Sequence, residues 1–173
     1  MVKTAVAACF ILLLAIPAMA QEDYPKIQTS MGYANLSFPN GLGGKSHHSG
    51  FANETGFNLT RTFGLNNYMG IYGLGQGTTL IADTFGGKAT YRAAKISPYV
   101  LAGIGVGYFT DNYSFASSSF ATRVGAGVDV PIRDTLGLKF EVSRFAFHFG
   151  ATAGSSWTGS TNFQTGIVFT LAQ

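Results

Sequence analysis

The residues of this chain with the most obvious chemical potential are two adjacent histidines and the serine after them, His47, His48 and Ser49. A histidine close to a serine could act as the base that activates a hydroxyl nucleophile. The histidine pair, with His148 as a third ligand, could instead hold a metal ion such as zinc. The sequence shows no adjacent acid to orient an imidazole, and a solvated polar loop explains the same residues. We therefore predict no catalytic residue, no metal site and no cofactor.

A second set of polar groups consists of charges that alternate with apolar side chains. Lys139 and Glu141 lie between Leu138, Phe140 and Val142. Because successive side chains of a strand point to opposite faces, this pattern predicts one charged face and one apolar face. The side chains that the same alternation turns towards the polar face are Glu54, Lys88, Arg123, Asp129, Lys139 and Glu141, with Asn58 and Gln164.

The alternation extends over most of the chain and predicts the elements that position these side chains. Strands are expected near 27–37, 51–63, 67–76, 79–92, 95–109, 119–130, 135–147 and 161–171. An even number of strands returns both termini to the same side. The clearest strand is the fifth, where apolar residues from Ile96 to Tyr108 form one row and glycines at 103, 105 and 107 form the other.

The composition is unusual for a soluble domain of this size. Hydrophobic residues make up 46% and aromatic residues 14%, whereas charged residues make up only 11%. In a bilayer, the only non-helical structure that satisfies every backbone polar group is a closed barrel. The 23 glycines disfavour long helices and leave space on a narrow inner wall. We predict an all-β fold, namely an eight-stranded antiparallel up-and-down transmembrane β-barrel.

Residues 1–20 have the pattern of a secretory signal peptide, with the single charge of Lys3, an apolar run and a small-x-small site at 18–20. Cleavage would remove Cys9, which is the only cysteine, and leave the barrel domain over 21–173. Without Lys3, ten basic and eight acidic residues remain. Because no basic cluster occurs among them, no nucleic-acid partner is expected.

The connections between the predicted strands have two lengths. Tight turns are predicted at 64–67, 93–94 and 131–134, and longer loops at 38–50, 110–118 and 148–160. The long loops follow odd-numbered strands, as extracellular loops do when the amino terminus lies in the periplasm. Aromatic residues near the predicted strand ends are expected at the bilayer interface; they are Tyr33, Phe57, Tyr68, Tyr72, Tyr91, Tyr108, Phe120, Phe145 and Phe147.

The narrow interior of such a barrel limits how the six charged side chains can be arranged. Eight strands enclose a space just wide enough for side chains. Burial of an ion without a partner would cost several kcal/mol, so these charges should pair with one another. The prediction is a filled, salt-bridged interior, and an ion-conducting path is the alternative.

The last predicted strand resembles the terminal signal by which outer-membrane β-barrels are recognised for insertion. The matching residues are Gln164, Gly166, Phe169 and Leu171, where Leu171 replaces the usual final aromatic residue. The resemblance implies that the barrel-insertion machinery and periplasmic chaperones are partners during biogenesis, and that outer-membrane lipid surrounds the product.

Segments 96–107, 120–129 and 165–169 are similar to those of small bacterial outer-membrane proteins of the OmpA/OmpX-like type. The resemblance implies a monomer in the outer membrane of a Gram-negative-type bacterium, and its motifs report architecture and no activity. The spacing of His47 and Ser49 also resembles that of outer-membrane lipid A deacylases. In that family an asparagine follows the serine and the motif lies on a lipid-facing strand, whereas here the next residue is Gly50 and a loop is predicted.

We predict a non-enzymatic protein with a structural or surface-interaction role through its extracellular loops. Three alternatives stay open: a narrow pore for ions or small solutes, a soluble β-barrel that binds a hydrophobic ligand, and a lipid A-modifying enzyme. The soluble alternative requires the apolar rows to turn inward. It would leave few charges on the outer face, and such a surface dissolves poorly.

Overall fold

The computed structural model describes residues 24–39, 44–75, 77–93, 95–110, 116–151 and 154–172. The strands in this part of the chain are β1 (Ile27–Pro39), β2 (Lys45–Asn58), β3 (Phe63–Gly75), β4 (Thr78–Thr90), β5 (Ser97–Thr110), β6 (Ala116–Arg133), β7 (Leu136–Ala151) and β8 (Gly154–Ala172). Each strand pairs antiparallel with the next, and β1 pairs with β8, so that the sheet closes into a barrel. The predicted fold class is confirmed. The predicted signal peptide, with Cys9, lies outside the described residues.

The barrel has two ends, which differ in what they hold. We call the end that holds Tyr24 and Ala172 the terminal end, and the opposite end, where β1 leads to β2, the distal end. Over the residues that the structure describes, no helix is long and apolar enough to span a membrane.

The predicted difference in loop length is wrong, because the strands continue through several polar segments. Residues 45–50, 116–118 and 148–151 belong to β2, β6 and β7, and β8 begins at Gly154. The segments that join strands at the distal end are therefore only 40–44, 76–77, 111–115 and 152–153. Serine, threonine and histidine side chains show no hydrophobic alternation, although their backbone groups pair as well as any other.

The predicted turns at the terminal end also shift. Residues 64–67 lie within β3, and the chain reverses at 59–62, where Leu59 and Thr60 donate backbone hydrogen bonds to Phe63. The strand β6 runs through 131–133 and the turn follows at 134–135. Ala93 lies in the connection between β4 and β5, whereas residue 94 lies outside the described residues.

The orientation of the apolar rows agrees with the prediction. Ile104, Leu138 and Phe140 point outward and are exposed, whereas Lys139 and Glu141 point inward and are buried. The outer surface is a wide apolar belt, formed among others by Phe51, Ile71, Phe85, Val100, Val124, Val142, Phe163 and Ile167. An apolar outer wall around buried charged side chains is the arrangement of a barrel that stands in lipid. The alternative with the apolar rows inward is therefore wrong.

Four of the aromatic residues predicted at the bilayer interface lie elsewhere. Tyr33, Phe57, Tyr91, Tyr108 and Phe120 are exposed on the outer wall, whereas Tyr68, Tyr72, Phe145 and Phe147 are buried in the barrel. An aromatic ring suits either position, since it is apolar enough for a core and amphipathic enough for an interface. Only the parity of its position along the strand separates the two outcomes.

Candidate functional site

The interior of the barrel near its terminal end contains a network of charged side chains, which we call the charged layer. Its members are Glu54 on β2, Lys88 on β4, Arg123 and Asp129 on β6, and Lys139 and Glu141 on β7. The structure thus brings together all six side chains that the alternation turned inward. Arg123, Lys139 and Glu141 are each only 1% exposed. Side chains buried to this degree are shielded from bulk water, so their charges must be compensated by one another.

Glu54 is the centre of the charged layer. Its Oε2 accepts a hydrogen bond from Arg123 Nη2 at 2.9 Å, and its Oε1 accepts one from Lys139 Nζ at 2.6 Å. Lys88 Nζ lies 3.8 Å from the same Oε1. One carboxylate therefore joins three cations, and charge-assisted bonds of this kind are stronger than neutral ones.

Two further carboxylates complete the charge balance. Glu141 pairs with Arg123 and lies 3.5 Å from Lys139 Nζ, and Asp129 accepts a hydrogen bond from Lys88 at 3.2 Å. The charged layer thus holds three cations and three carboxylates, so its formal charge is zero. Neutrality and direct pairing are the conditions under which charges can be buried at acceptable cost.

Two tyrosines support the charged layer, of which Tyr99 was not predicted as a site residue and Tyr68 was expected at the bilayer interface. Tyr99 donates a hydrogen bond to Glu141 Oε2 at 3.0 Å, and its ring lies 3.7 Å from Lys88 Nζ. The Arg123 guanidinium stacks on the Tyr68 ring at 3.8 Å. Each of these tyrosines lies on the inward parity of its strand, which was the one signal available in the sequence.

The distal half of the interior is filled by a second cluster, which we call the apolar layer. Its fully buried members are Ala34, Leu36, Ala52, Tyr68, Tyr72, Leu80, Ala82, Ala121, Phe145 and Phe147. The rings of Phe145 and Phe147 stack at 5.6 Å with their planes 8° apart. Phe38, Phe109 and Phe149 pack on this cluster from the distal side. Every strand from β1 to β4 contributes a side chain, as do β6 and β7.

The two layers meet at a pair of tyrosines. The hydroxyl groups of Tyr68 and Tyr72 form a hydrogen bond, and Tyr72 also donates to Asn162 Oδ1 at 2.9 Å. Gly70 lies between them on the same face, and a Cβ atom there would lie 2.6 Å from the Tyr68 hydroxyl oxygen. Only glycine leaves room for both rings at this point. Tyr68 in turn carries Arg123 on its ring, so the junction links packing to charge.

A cavity of about 380 Å³ lies at the terminal end and is lined by turn residues of β6–β7 together with Gln28, Arg92 and Asp129. Deeper in the barrel, among Glu54, Lys88 and Lys139, the cavity space falls to about 10 Å³. That volume is about what one water molecule needs. The charged layer therefore closes the interior above the terminal mouth.

The histidine and serine residues that could support chemistry lie on a strand and not in the predicted loop. His47 and Ser49 point outward from β2, where His47 contacts Asn35 Oδ1 at 3.3 Å and Ser49 hydrogen-bonds the Tyr33 hydroxyl at 2.9 Å. His48 contacts the backbone oxygen of residue 73 at 3.2 Å.

The third histidine does not join this pair. His148 packs on Trp157 on the outer wall of β7, with ring centroids 4.8 Å apart, and two strands separate β7 from β2. Over the described residues, no group of three His, Cys, Asp or Glu side chains is arranged to hold a metal ion. The two histidine sites are thus separate features of the barrel surface.

The residues of the predicted insertion signal all lie on β8. Gln164 is fully buried next to the charged layer, and Leu171 is exposed on the outer wall. Gly166 pairs with Gly32 across the β1–β8 seam, and a Cβ atom on Gly166 would lie 3.0 Å from the Gly32 Cα. The two strands that close the barrel approach each other closely at this position, so a residue larger than glycine would not fit there without a shift of the neighbouring backbone.

A closed eight-stranded sheet with an apolar outer belt and a neutral, side-chain-filled interior defines an integral β-barrel membrane protein. The family model described as "Outer membrane protein beta-barrel domain" matches residues 6–170. The chain belongs to this family and is an outer-membrane protein of a Gram-negative-type bacterium. A comparison of the sequence with curated proteins finds no match.

Solved structures of outer-membrane barrels have the same fold. Neisserial surface protein A matches with a TM-score of 0.69 and 12% identity, over 87% of this chain and 100% of that chain. The N-terminal β-barrel domain of Pseudomonas aeruginosa OprF matches with a TM-score of 0.56 and 15% identity, over 83% and 98%. The attachment invasion locus protein Ail of Yersinia pestis matches with 0.54 and 16%, over 83% and 97%.

Proposed function

We propose that this chain is a non-conducting outer-membrane barrel with a structural or surface-interaction role, exerted through the segments at its distal end. The observation that carries the proposal is the burial of the interior side chains. Arg123 and Glu141 are each 1% exposed in the charged layer, and Phe145 and Phe147 are fully buried in the apolar layer. A water-filled pore would expose such side chains, and here two layers in series exclude water.

Single-channel recording in planar bilayers tests this proposal against its main alternative, a narrow pore for ions or small solutes. The wild-type barrel, inserted at a density verified by a folded-protein band on an unboiled gel, should give no stable conductance step. A general porin at the same density serves as the positive control. A reproducible step well above the leak of the protein-free bilayer would establish the pore instead.

A lipid A-modifying enzyme is the second candidate, and the location of His47 and Ser49 on one outward face of β2 favours it. Against it, no direct hydrogen bond joins His47 to Ser49 among the described residues, and the two side chains are connected only through Asn35 and Tyr33, where Asn35 Nδ2 donates to the Tyr33 hydroxyl at 3.3 Å. The residue after the serine is Gly50 where the deacylases have asparagine. Mass spectrometry of lipid A from cells that express the wild type, Ser49→Ala or the inward control Ser46→Ala decides. Our proposal expects three identical acylation patterns.

We also propose that Gln164, Gly166, Phe169 and Leu171 act as the insertion signal, recognised by the barrel-insertion machinery after delivery by periplasmic chaperones. Phe169→Ala should slow the appearance of the heat-modifiable folded form in outer membranes. Phe163→Ala is the matched control, because Phe163 lies outward on the same strand but outside the motif. Equal insertion rates for the two variants would contradict this role.

A further inference from the structure

Among the described residues, the outer wall carries an aspartate and an arginine next to apolar side chains of the belt. Asp83 on β4 is exposed between Ile81 and Phe85, which share its face. Arg144 on β7 is exposed next to Val142 on its own face. Ionised side chains that face lipid are unfavourable and rare, and those that persist have a partner or a function.

Asp83 has one hydrogen-bond partner among the described residues, and that partner is uncharged. Asn67 on β3 donates from Nδ2 to Asp83 Oδ1 at 2.9 Å. None of the ion pairs in the described part of the chain includes Asp83. The carboxylate and the amide together form an acceptor-rich site on the seam between β3 and β4.

Arg144 forms the opposite kind of site on the seam between β7 and β8. Its guanidinium lies against Gly159, where an added Cβ atom would be 2.6 Å from Nη2 and 3.2 Å from Cζ. The guanidinium therefore lies along the outer wall against β8, and its N–H donors remain at the surface. Over the ranges that the structure describes, no hydrogen bond or ion pair to Arg144 is found.

The two seams lie on opposite sides of the barrel. In a closed sheet of eight strands in chain order, the β3–β4 seam and the β7–β8 seam are four strand positions apart, which is half the circumference. A copy that turns its Asp83 site towards one neighbour in the membrane therefore turns its Arg144 site towards the neighbour on the opposite side.

The strand registers also give the two sites the same depth. A path that starts at Ser30 and follows the pairing through all eight strands returns to β1 about ten residues nearer the distal end, as the tilt of barrel strands requires. The same path leads from Asp83 to His148 over three strand steps. The stagger of about ten residues over eight strand steps amounts to about four residues over three steps. The position on β7 at the same height as Asp83 is therefore about four residues nearer the terminal end than His148, and that position is Arg144. Asp83 and Arg144 thus lie at about the same height in the membrane.

We propose that Asp83 and Arg144 are the two halves of a lateral contact between copies of this chain, in which Asp83 of one copy pairs with Arg144 of the next. The two sites carry opposite charges at the same depth in the membrane. A second copy of this chain is therefore complementary to both of them. A two-fold contact would instead bring each charge against its own kind, which is repulsive. A head-to-tail contact between opposite sides does not close, so it extends into rows. This arrangement departs from the monomer expected from the sequence.

Charge reversal and exchange test the contact directly. The protein, in a Cys9→Ser background, carries a donor or an acceptor dye at Ser117→Cys and is reconstituted in phosphatidylcholine vesicles, where energy transfer reports self-association. Asp83→Arg and Arg144→Asp should each weaken self-association on the order of tenfold, because like charges then meet. Asp134→Arg, a reversal in the exposed turn at the terminal end, is the matched control and should behave as the wild type.

Mixing the variants provides the decisive result. Donor-labelled Asp83→Arg and acceptor-labelled Arg144→Asp should regain the energy transfer that each has lost, since every contact between unlike copies then joins one guanidinium to one carboxylate again. Heat-modifiable migration verifies that each variant is folded. The proposal is overturned if wild-type transfer equals that of randomly distributed copies, if the single reversals leave it unchanged, or if the mixture fails to restore it.

Discussion

The charged layer and the apolar layer fill the same cylinder, but they are stabilised by different forces. In the charged layer, three cations and three carboxylates balance one another, so the loss of one partner leaves an uncompensated charge in a buried site. In the apolar layer, stability depends on packed volume, so a loss is proportional to the space vacated. One barrel interior is thus blocked at two levels, by ion pairing in the charged layer and by side-chain packing in the apolar layer. The free energy of unfolding should therefore respond differently to substitutions in the two layers.

The largest effect is expected where pairing is broken. Arg123→Met removes the cation shared by Glu54 and Glu141 and leaves an excess of negative charge in the barrel. The free energy of unfolding should fall by about 3–5 kcal/mol, as for other buried pairs that lose one partner. Urea titration in detergent micelles measures it, with the exposed Arg133→Met as control, which should change by less than about 0.5 kcal/mol. Equal stability of the two variants would contradict the charged layer.

A comparable but graded effect is expected where packing is lost. Phe147→Ala vacates a site between Phe145 and Phe109 and should lower the free energy of unfolding by about 3 kcal/mol. Phe147→Leu keeps most of the volume, so its loss should be less than half as large. The same urea titration compares the two. A loss that does not follow the vacated volume would show that the apolar layer is not packed as described.

The two layers also differ in how far the sequence predicts them. The charges of Lys139 and Glu141 alternate with Leu138 and Phe140, and lipid sets the face of the apolar residues, so the inward direction of the charges follows. Tyr68 and Tyr72 stand in a strand rich in glycine, where nothing but parity indicates a direction. Their rings suit a core and an interface equally well. The apolar layer was therefore missed, although every residue in it was visible.

Strand limits were the least predictable part of the fold, for a related reason. The alternation marks the apolar belt, and it disappears where β2 and β8 pass beyond the belt into segments such as 45–50 and 154–160. Backbone pairing continues there because hydrogen bonds between strands do not depend on side-chain polarity. The number, order and orientation of the strands were predictable, since they depend on the belt alone.

A smaller effect is expected at the junction of the two layers. Tyr72→Phe removes the hydroxyl that bonds to Asn162 and to Tyr68, while it keeps the ring in the apolar layer. The free energy of unfolding should fall by about 1–2 kcal/mol, because buried polar partners are left unpaired. Tyr108→Phe, on the exposed outer wall, is the control and should change little. If Tyr72→Phe is as stable as its control, the junction contributes packing only.

The smallest effect is expected at a buried amide next to the charged layer. Gln164 is fully buried, and neither amide atom has a hydrogen-bond partner among the described residues. Gln164→Leu should change the free energy of unfolding by less than about 1 kcal/mol, since a buried group without protein partners adds little. Asn162→Leu, which removes bonds to both tyrosines and to Ser143, should be clearly more destabilising. The reverse order would show that Gln164 belongs to the network.

The most direct test of two closures in series is conductance measured in planar bilayers for four proteins at equal inserted density. They are the wild type, a charged-layer variant (Glu54→Ala with Arg123→Ala), an apolar-layer variant (Phe145→Ala with Phe147→Ala) and the variant that combines all four substitutions. We expect stable conductance steps from the combined variant alone, because each remaining layer still excludes water. Steps from the wild type, or from either single-layer variant at the level of the combined one, would contradict the account.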